Sequence, residues 1–170
     1  MGILDLLYKE HRLMKRALNV IEVASLHLKQ GKEEAIDPML NSANFLLHFS
    51  VGCHQRKEEE IFFPMLHNRG IPTDILEVMH IDHRAAEDYL QDFIVTLIRY
   101  EGDEHRLLSA LIWKASGYLW FLRHHLEIEE SIFFSRARNL FSNKEQGMLL
   151  EQFARWEMEH CTYCSWIATA

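Results

Sequence analysis

The chain has 170 residues, 48% of them hydrophobic and 25% charged, enough for one domain with a substantial core. A formal charge of −7, from 18 basic and 25 acidic residues, argues against nucleic acid or anionic lipid as a partner. No run of about 20 apolar residues is present to span a membrane, and the opening MGILDLLYKEH lacks the pattern of a secretory signal. Three Cys do not make a disulfide framework, so a cytoplasmic, reducing location is expected.

With only 7 Gly and 3 Pro, long helices are favoured. Leu4, Leu7, His11, Met14, Leu18, Ile21 and Leu28 follow three-four spacing, which predicts a first helix over about Ile3 to Gln30, closed by Gly31. After the polar stretch GKEEAID, an Asp37 cap and Pro38 at a first helical position open a second helix. Its stripe reads Leu40, Leu47, His54, Glu58, Ile61 and Met65; Pro64 predicts a kink or loosened last turn, and Asn68-Arg-Gly70 the stop. A third helix follows Pro72, with Leu76, Met79 or His80, His83, Leu90, Ile94 and Leu97 facing inward, up to a break at Gly102-Asp103. The fourth carries Leu111, Tyr118, Leu122, His125, Glu129 and Ile132. Ser142-Asn-Lys-Glu145 is a capping box opening a fifth, whose inward face reads Leu149, Phe153, Trp156, His160, Cys164 and Ile167. Short connections make sequential neighbours antiparallel. The expected fold is all-α: an up-down-up-down four-helix bundle over about residues 3–140, with a C-terminal helix over about 143–168.

Histidine is the anomaly, at 11 residues. His11 followed by His54-Gln-Arg-Lys-Glu58 recurs as His83 followed by His125-Leu-Glu-Ile-Glu129, offset by 72 and 71 residues. Each HxxxE puts an imidazole and a carboxylate on one helix face, about 6 Å apart along the axis. All six residues occupy stripe positions that would otherwise hold Leu or Ile. A lone His on an apolar face is ordinarily a hydrogen-bonded core residue. Six in a repeated pattern, with carboxylates that need a buried cation, point to a dinuclear metal site instead. Mixed nitrogen and oxygen donors without thiolate suit non-haem iron, with manganese or zinc as alternatives.

These residues resemble the hemerythrin-like (HHE) cation-binding domains. CHQRKEEEIFFP around His54 is similar to the family's signature helix, and Glu10-His11, Asp82-His83 and HLEIEESIFF match in type and order. The resemblance runs from about residue 4 to 135, and more weakly beyond. It implies a single hemerythrin-like domain over 1–170 holding two iron ions, oxo- or hydroxo-bridged, on His11, His54, Glu58, His83, His125 and Glu129. It also implies a protein that binds or senses dioxygen, nitric oxide or peroxide. The alternatives are a di-iron enzyme acting on peroxide or nitric oxide, and iron storage or donation for iron-sulfur cluster repair.

The sequence departs from the oxygen carriers in two places. They have HxxxH on the third helix, where the earlier position here is Met79, and HxxxxD on the fourth, where this chain has HxxxE. His160, on the stripe of the last helix, is therefore the candidate for a missing imidazole. His80 is expected to line the pocket or support a ligand, and His124 to lie on the polar surface. Tyr8, Tyr118 and His80 are the candidate proton donors. Cys161 and Cys164 are expected to be small apolar fillers, Phe62, Phe63, Phe133 and Phe134 to be mostly core, with keeping water from the metals as a second use, and Glu59, Glu60 and Glu130 to form solvated faces.

Overall fold

The computed structural model describes residues 2–101 and 105–161, so the expected break at Gly102-Asp103 and the end of the last helix, with Cys164 and Ile167, lie outside them. Among the described residues there are five long helical runs and no strand. Helix α1 is Ile3–Lys29. Gly31 ends it with φ of 75°, the left-handed turn that an L side chain resists, and its N–H donates to the Leu28 carbonyl. Helix α2 begins with Ile36–Leu46, after a 3₁₀ turn over Glu33–Ala35. It therefore starts a residue before the expected Asp37 cap, and Asp37 and Pro38 sit inside its first turn. The helix continues through π-helical turns at Leu47–Gln55 and Glu58–Phe62 to a last segment, Phe63–His67. Gly70, with φ of 86°, follows.

Helix α3 is Thr73–Glu101. Helix α4 comprises Leu108–Ile128, a π turn at Glu129–Phe133, and Phe134–Ala137. Helix α5 is Asn143–His160, opened by the capping box in which Ser142 and Glu145 bond each other reciprocally. Helix α1 packs on α2 and α4, and α3 on α2 and α4, giving a four-helix bundle. Helix α5 lies against α1 and the Glu58–Phe62 turn of α2.

The π turns change which residues face inward. Regular α spacing from Glu58 selects Ile61 and Met65, yet the buried residues are Phe62 and Leu66, with Ile61 and Met65 only half-buried. Spacing from Glu129 selects Ile132, yet Ile132 is 45% exposed and Phe133 is buried. Each π turn accommodates one extra residue, so the apolar stripe resumes one position later. Pro64, which cannot donate a hydrogen bond, falls just after the first of these turns. It is not their common cause, because Ser135 stands at the matching place after the second.

The apolar interior is divided in two. One cluster gathers Met14, Leu18, Phe49, Leu90, Phe93, Leu111 and Tyr118, and the other Ile3, Leu7, Phe62, Leu76, Phe133, Phe141 and Phe153. On every bundle helix the residues between these clusters are the buried polar ones: Glu10 and His11, then His54, Lys57 and Glu58, then His83, then His125 and Glu129. Cys53 and Cys161 are both disulfide-bonded, so the expectation of a plain apolar filler does not hold for Cys161.

Candidate metal centre

Four imidazoles converge with their Nε2 atoms inward. His11 Nε2 and His54 Nε2 are 3.2 Å apart. Glu129 Oε2 lies 3.3 Å from His11 Nε2 and 3.5 Å from His125 Nε2, and its Oε1 lies 3.8 Å from His83 Nε2. Glu58 Oε2 lies 3.4 Å from His54 Nε2 and 3.6 Å from His83 Nε2. Two His pairs thus face each other, and each carboxylate reaches both. His11, His54, Glu58 and Glu129 form one group with mutually close donor atoms, and His83, His125 and Glu129 form the other.

On the outer side, each imidazole meets a carboxylate through Nδ1. His54 Nδ1 is 2.6 Å from Glu10, His11 Nδ1 is 3.0 Å from Glu130, and His83 Nδ1 is 2.7 Å from Glu59. His125 Nδ1 stands 3.8 Å from Asp82, an ion-pair distance rather than a hydrogen bond. A carboxylate at Nδ1 requires the proton there, which in the neutral imidazole leaves a lone pair on Nε2 pointing into the cluster. These outer residues are the chain neighbours of the converging residues. Glu10 precedes His11, Asp82 precedes His83, Glu59 follows Glu58 and Glu130 follows Glu129. Each serves an imidazole from a different helix.

The reading of Glu59 and Glu130 as solvated faces is therefore corrected. The signal was available, since the neighbours repeat with the same 72- and 71-residue offsets as the ligands. Glu60 is exposed but accepts a hydrogen bond from Trp156 Nε1 at 2.6 Å. Lys57, wholly buried and unremarked in the sequence, donates to Glu10 and to Glu157.

His160 is not brought to the cluster. It is exposed, its Nδ1 donates to the Trp156 carbonyl at 3.0 Å, and its ring stacks on Trp156. The imidazole that it was to supply is not missing, because the bundle divides its four evenly between the two groups. His80 touches Glu59 at 3.3 Å and packs edge-on to Phe63, one step outside His83. His124 is exposed and stacked on Trp120. Tyr8 donates to the Glu130 carbonyl at 3.3 Å, while Tyr118 sits in the apolar cluster near Phe93, where burial pushes its pKa up. Phe63 stacks on His83 with centroids 5.7 Å apart and Phe134 lies 5.1 Å from His11, so aromatic rings wall one side.

The electrostatics test whether this donor set fits a cation. Among the described residues, the buried side-chain atoms without a hydrogen-bond partner are Glu58 Oε1 and Oε2, His83 Nε2, His125 Nδ1 and Glu129 Oε2. All belong to this cluster, where the orphaned atoms of an ordinary core would cost about 1–3 kcal/mol each. Burial, then the facing Glu129, pushes the Glu58 carboxyl well above its usual range. Burial opposes charge on Glu129 too, but His125, His11 and His83 outweigh it and hold Glu129 well below that range. Burial lowers His54 to about 4. It also works against protonated His83, yet Glu129 and Glu59 prevail and raise it to about 8. His11 is raised for the same reason, by Glu129 and Glu130. Protons on Glu58, His83 and His11 thus supply the positive charge that the cluster demands, and cations fit the same places. Four imidazole nitrogens and two carboxylates with no thiolate suit a pair of iron ions, with manganese or zinc compatible.

An all-helical bundle whose buried polar layer is a His/Glu cation cradle defines a class of metal-binding proteins. The profile of the hemerythrin HHE cation binding domain matches residues 2–137, and the chain belongs to that family. Among curated proteins it is similar to the uncharacterized proteins Mb2018 of Mycobacterium bovis and Rv1995 of Mycobacterium tuberculosis. Each is 24% identical over 148 residues, covering 86% of this chain and 58% of the relative, so the chain spans under two thirds of their length. No described helix is long and apolar enough to cross a membrane.

Proposed function

We propose that the chain is a single hemerythrin-like domain that holds two iron ions on His11, His54, Glu58, His83, His125 and Glu129, and binds or senses dioxygen, nitric oxide or peroxide. The observation that carries this reading is the pairing of the donors: two His pairs, with Glu58 and Glu129 each in reach of both. Two metals held there would each be offered two imidazoles, with the Glu58 and Glu129 carboxylates in reach of both pairs. Bound iron would supply reversible electron exchange there.

The residues of the chain set the conditions for that chemistry. Glu10, Glu59 and Glu130 hold the imidazoles by Nδ1, fixing the ring planes and keeping Nε2 basic. Phe63 and Phe134 pack on His83 and His11 and keep water from that flank. Tyr8 holds the backbone beside Glu129 through the Glu130 carbonyl.

The test is anaerobic reconstitution with ferrous iron, followed by elemental analysis and exposure to dioxygen, nitric oxide or peroxide. The expected result is about two iron per chain and a spectrum that changes with one of these ligands. A reconstituted protein with iron content near zero sinks the proposal. An adduct that reverses on degassing supports binding, whereas irreversible oxidation with multiple turnovers moves the reading to an enzyme.

A further inference from the structure

The two halves of the cluster have matching ligands but different surroundings. Behind His54 stands Glu10, almost wholly buried, with one carboxylate oxygen on His54 Nδ1 and the other on Lys57. Lys57 has no exposed side chain; its ammonium also bonds Glu157 and lies 5.2 Å from the Phe153 ring centroid. Glu157 and Phe153 belong to α5, as does Trp156, which donates to Glu60. Two polar contacts and an aromatic ring therefore fasten α5 to the stretch of α2 that carries His54 and Glu58.

Among the described residues, no polar contact of this kind joins α5 to the other half. There the counterpart of Glu10 is Asp82, partly exposed and 3.8 Å from His125 Nδ1. The counterpart of Lys57, 71 residues on, is Ile128. Helix α5 begins at Asn143, beyond the stretch matched by the family profile.

A fully buried ammonium between two carboxylates is costly to strand, and each contact in the row depends on its neighbours. Removing Glu157 leaves Lys57 with one carboxylate partner and frees it to shift; Glu10 then loses its fixed position, and with it the ring of His54.

We propose that α5 is a working part of the metal centre: through Glu157, Lys57 and Glu10 it positions His54, so that docking of α5 and metal affinity in the His11/His54 half are coupled. This rests on the reading that the cluster holds two metals. Lys57 and Glu157 act through other residues and are positioning residues. Coupling is reciprocal, so metal in that half must hold α5 down by the same factor by which α5 tightens the metal.

The experiment titrates metal-depleted protein with cobalt(II), following the visible bands and the bound metal, and measures hydrogen exchange over residues 143–160 with and without cobalt. Wild-type protein, Glu157→Gln, Glu157→Asp and, as a control on the same helix, Glu159→Gln are compared. In Glu157→Gln one of the two affinities should fall about tenfold, the low end for losing a residue that supports a ligand. The second affinity should stay within twofold. Cobalt should slow exchange of α5 in the wild type and lose that effect in Glu157→Gln. Glu157→Asp, which keeps the charge, should recover part of the affinity, and Glu159→Gln should behave as wild type. Two unchanged affinities in Glu157→Gln overturn the inference, and so does an equal fall in both, which is general destabilisation. Wild-type protein that takes up no cobalt refutes the dinuclear reading itself, and so the two failures are distinguishable.

Discussion

Replacing Glu58 by Gln should separate what the cluster costs from what it does. Glu58 is wholly buried, and neither of its oxygens has a hydrogen-bond partner. Burial and Glu129 raise its pKa well above 4.5, so the sign of its contribution follows. A group with a raised folded pKa gives stability that is fully present below its unfolded value and lost as pH rises through its folded value. His83, raised from 6.5 to about 8, adds a loss of the same sign over that interval, about 2 kcal/mol at 1.36 kcal/mol per unit. Metal-depleted wild-type protein should therefore weaken from about pH 6.5 to pH 8, whereas below pH 6.5 His54, lowered to about 4, works in the opposite direction. Glu58→Gln keeps the size, removes the like-charge repulsion and removes one of the two losses. Its metal-depleted form should be more stable than wild type at pH 8 by about 1–3 kcal/mol, the range for one unsatisfied buried polar group. For a chain of this length each kcal/mol moves the Tm by about 2–4 °C, so the gain is roughly 5 °C. At pH 5 the difference should close, because a protonated carboxyl and an amide are then equivalent in charge. With metal the order reverses, since wild type gains about 2.7 kcal/mol per site at a hundredfold excess over Kd and the variant has lost a shared arm. Thermal melts at four pH values, with chelator and with ferrous iron, check this. A metal-depleted variant that melts below wild type at pH 8, or runs parallel to it at every pH, refutes the argument.

Three further outcomes follow from the same geometry. His160→Ala should leave metal stoichiometry and the visible spectrum unchanged, because His160 stacks on Trp156 at the surface; titration with ferrous iron checks it. Glu130→Gln should weaken metal binding about 10–100-fold, since Glu130 supports His11 and is itself held by Lys15 at 2.7 Å. Competition against a calibrated chelator measures this, and an unchanged affinity would return Glu130 to the solvated face. Metal uptake at pH 7 should release protons, because His83, raised to about 8, must give its proton up first. Affinity should then climb with pH and flatten above about pH 8, read by calorimetry in two buffers of different ionisation enthalpy.

Much of the bundle was legible in the sequence, because three-four spacing, Gly31, Gly70 and the Ser142/Glu145 box are local signals that the structure keeps. The convergence of the six His and Glu side chains was legible for a different reason: a repeated His and Glu pattern on stripe positions admits few other uses. The phase of the stripe after Glu58 and Glu129 was not. A π turn costs regular hydrogen bonding and is stabilised by tertiary contacts, so Ile61, Met65 and Ile132 were chosen where Phe62, Leu66 and Phe133 face inward. His160 failed similarly, since stripe position marked Trp156 and His160 as equally inward while only Trp156 is covered. Lys57 was invisible because a Lys between His54 and Glu58 reads as solvated, and only α5 and Glu10 together bury it.

The crossed pairing of neighbours ties the site to the register of the bundle. On α1, His11 points to the cluster while Glu10 reaches His54 on α2, and His11 in turn leans on Glu130 of α4. A slip of α1 by one helical turn, about 5.4 Å, would strand Glu10, His11, His54, Lys57 and Glu130 together. An apolar stripe alone penalises such a slip weakly, because Leu7, Met14 and Leu18 are near-interchangeable in a greasy seam. The polar layer between the two apolar clusters makes the slip expensive. Some of the cost of burying four His, three carboxylates and a Lys is thus returned as a single alignment of four helices, the one in which the Nε2 atoms meet. The alignment that satisfies the outer carboxylates is the one that builds the cation cradle, so selecting the fold also selects the site.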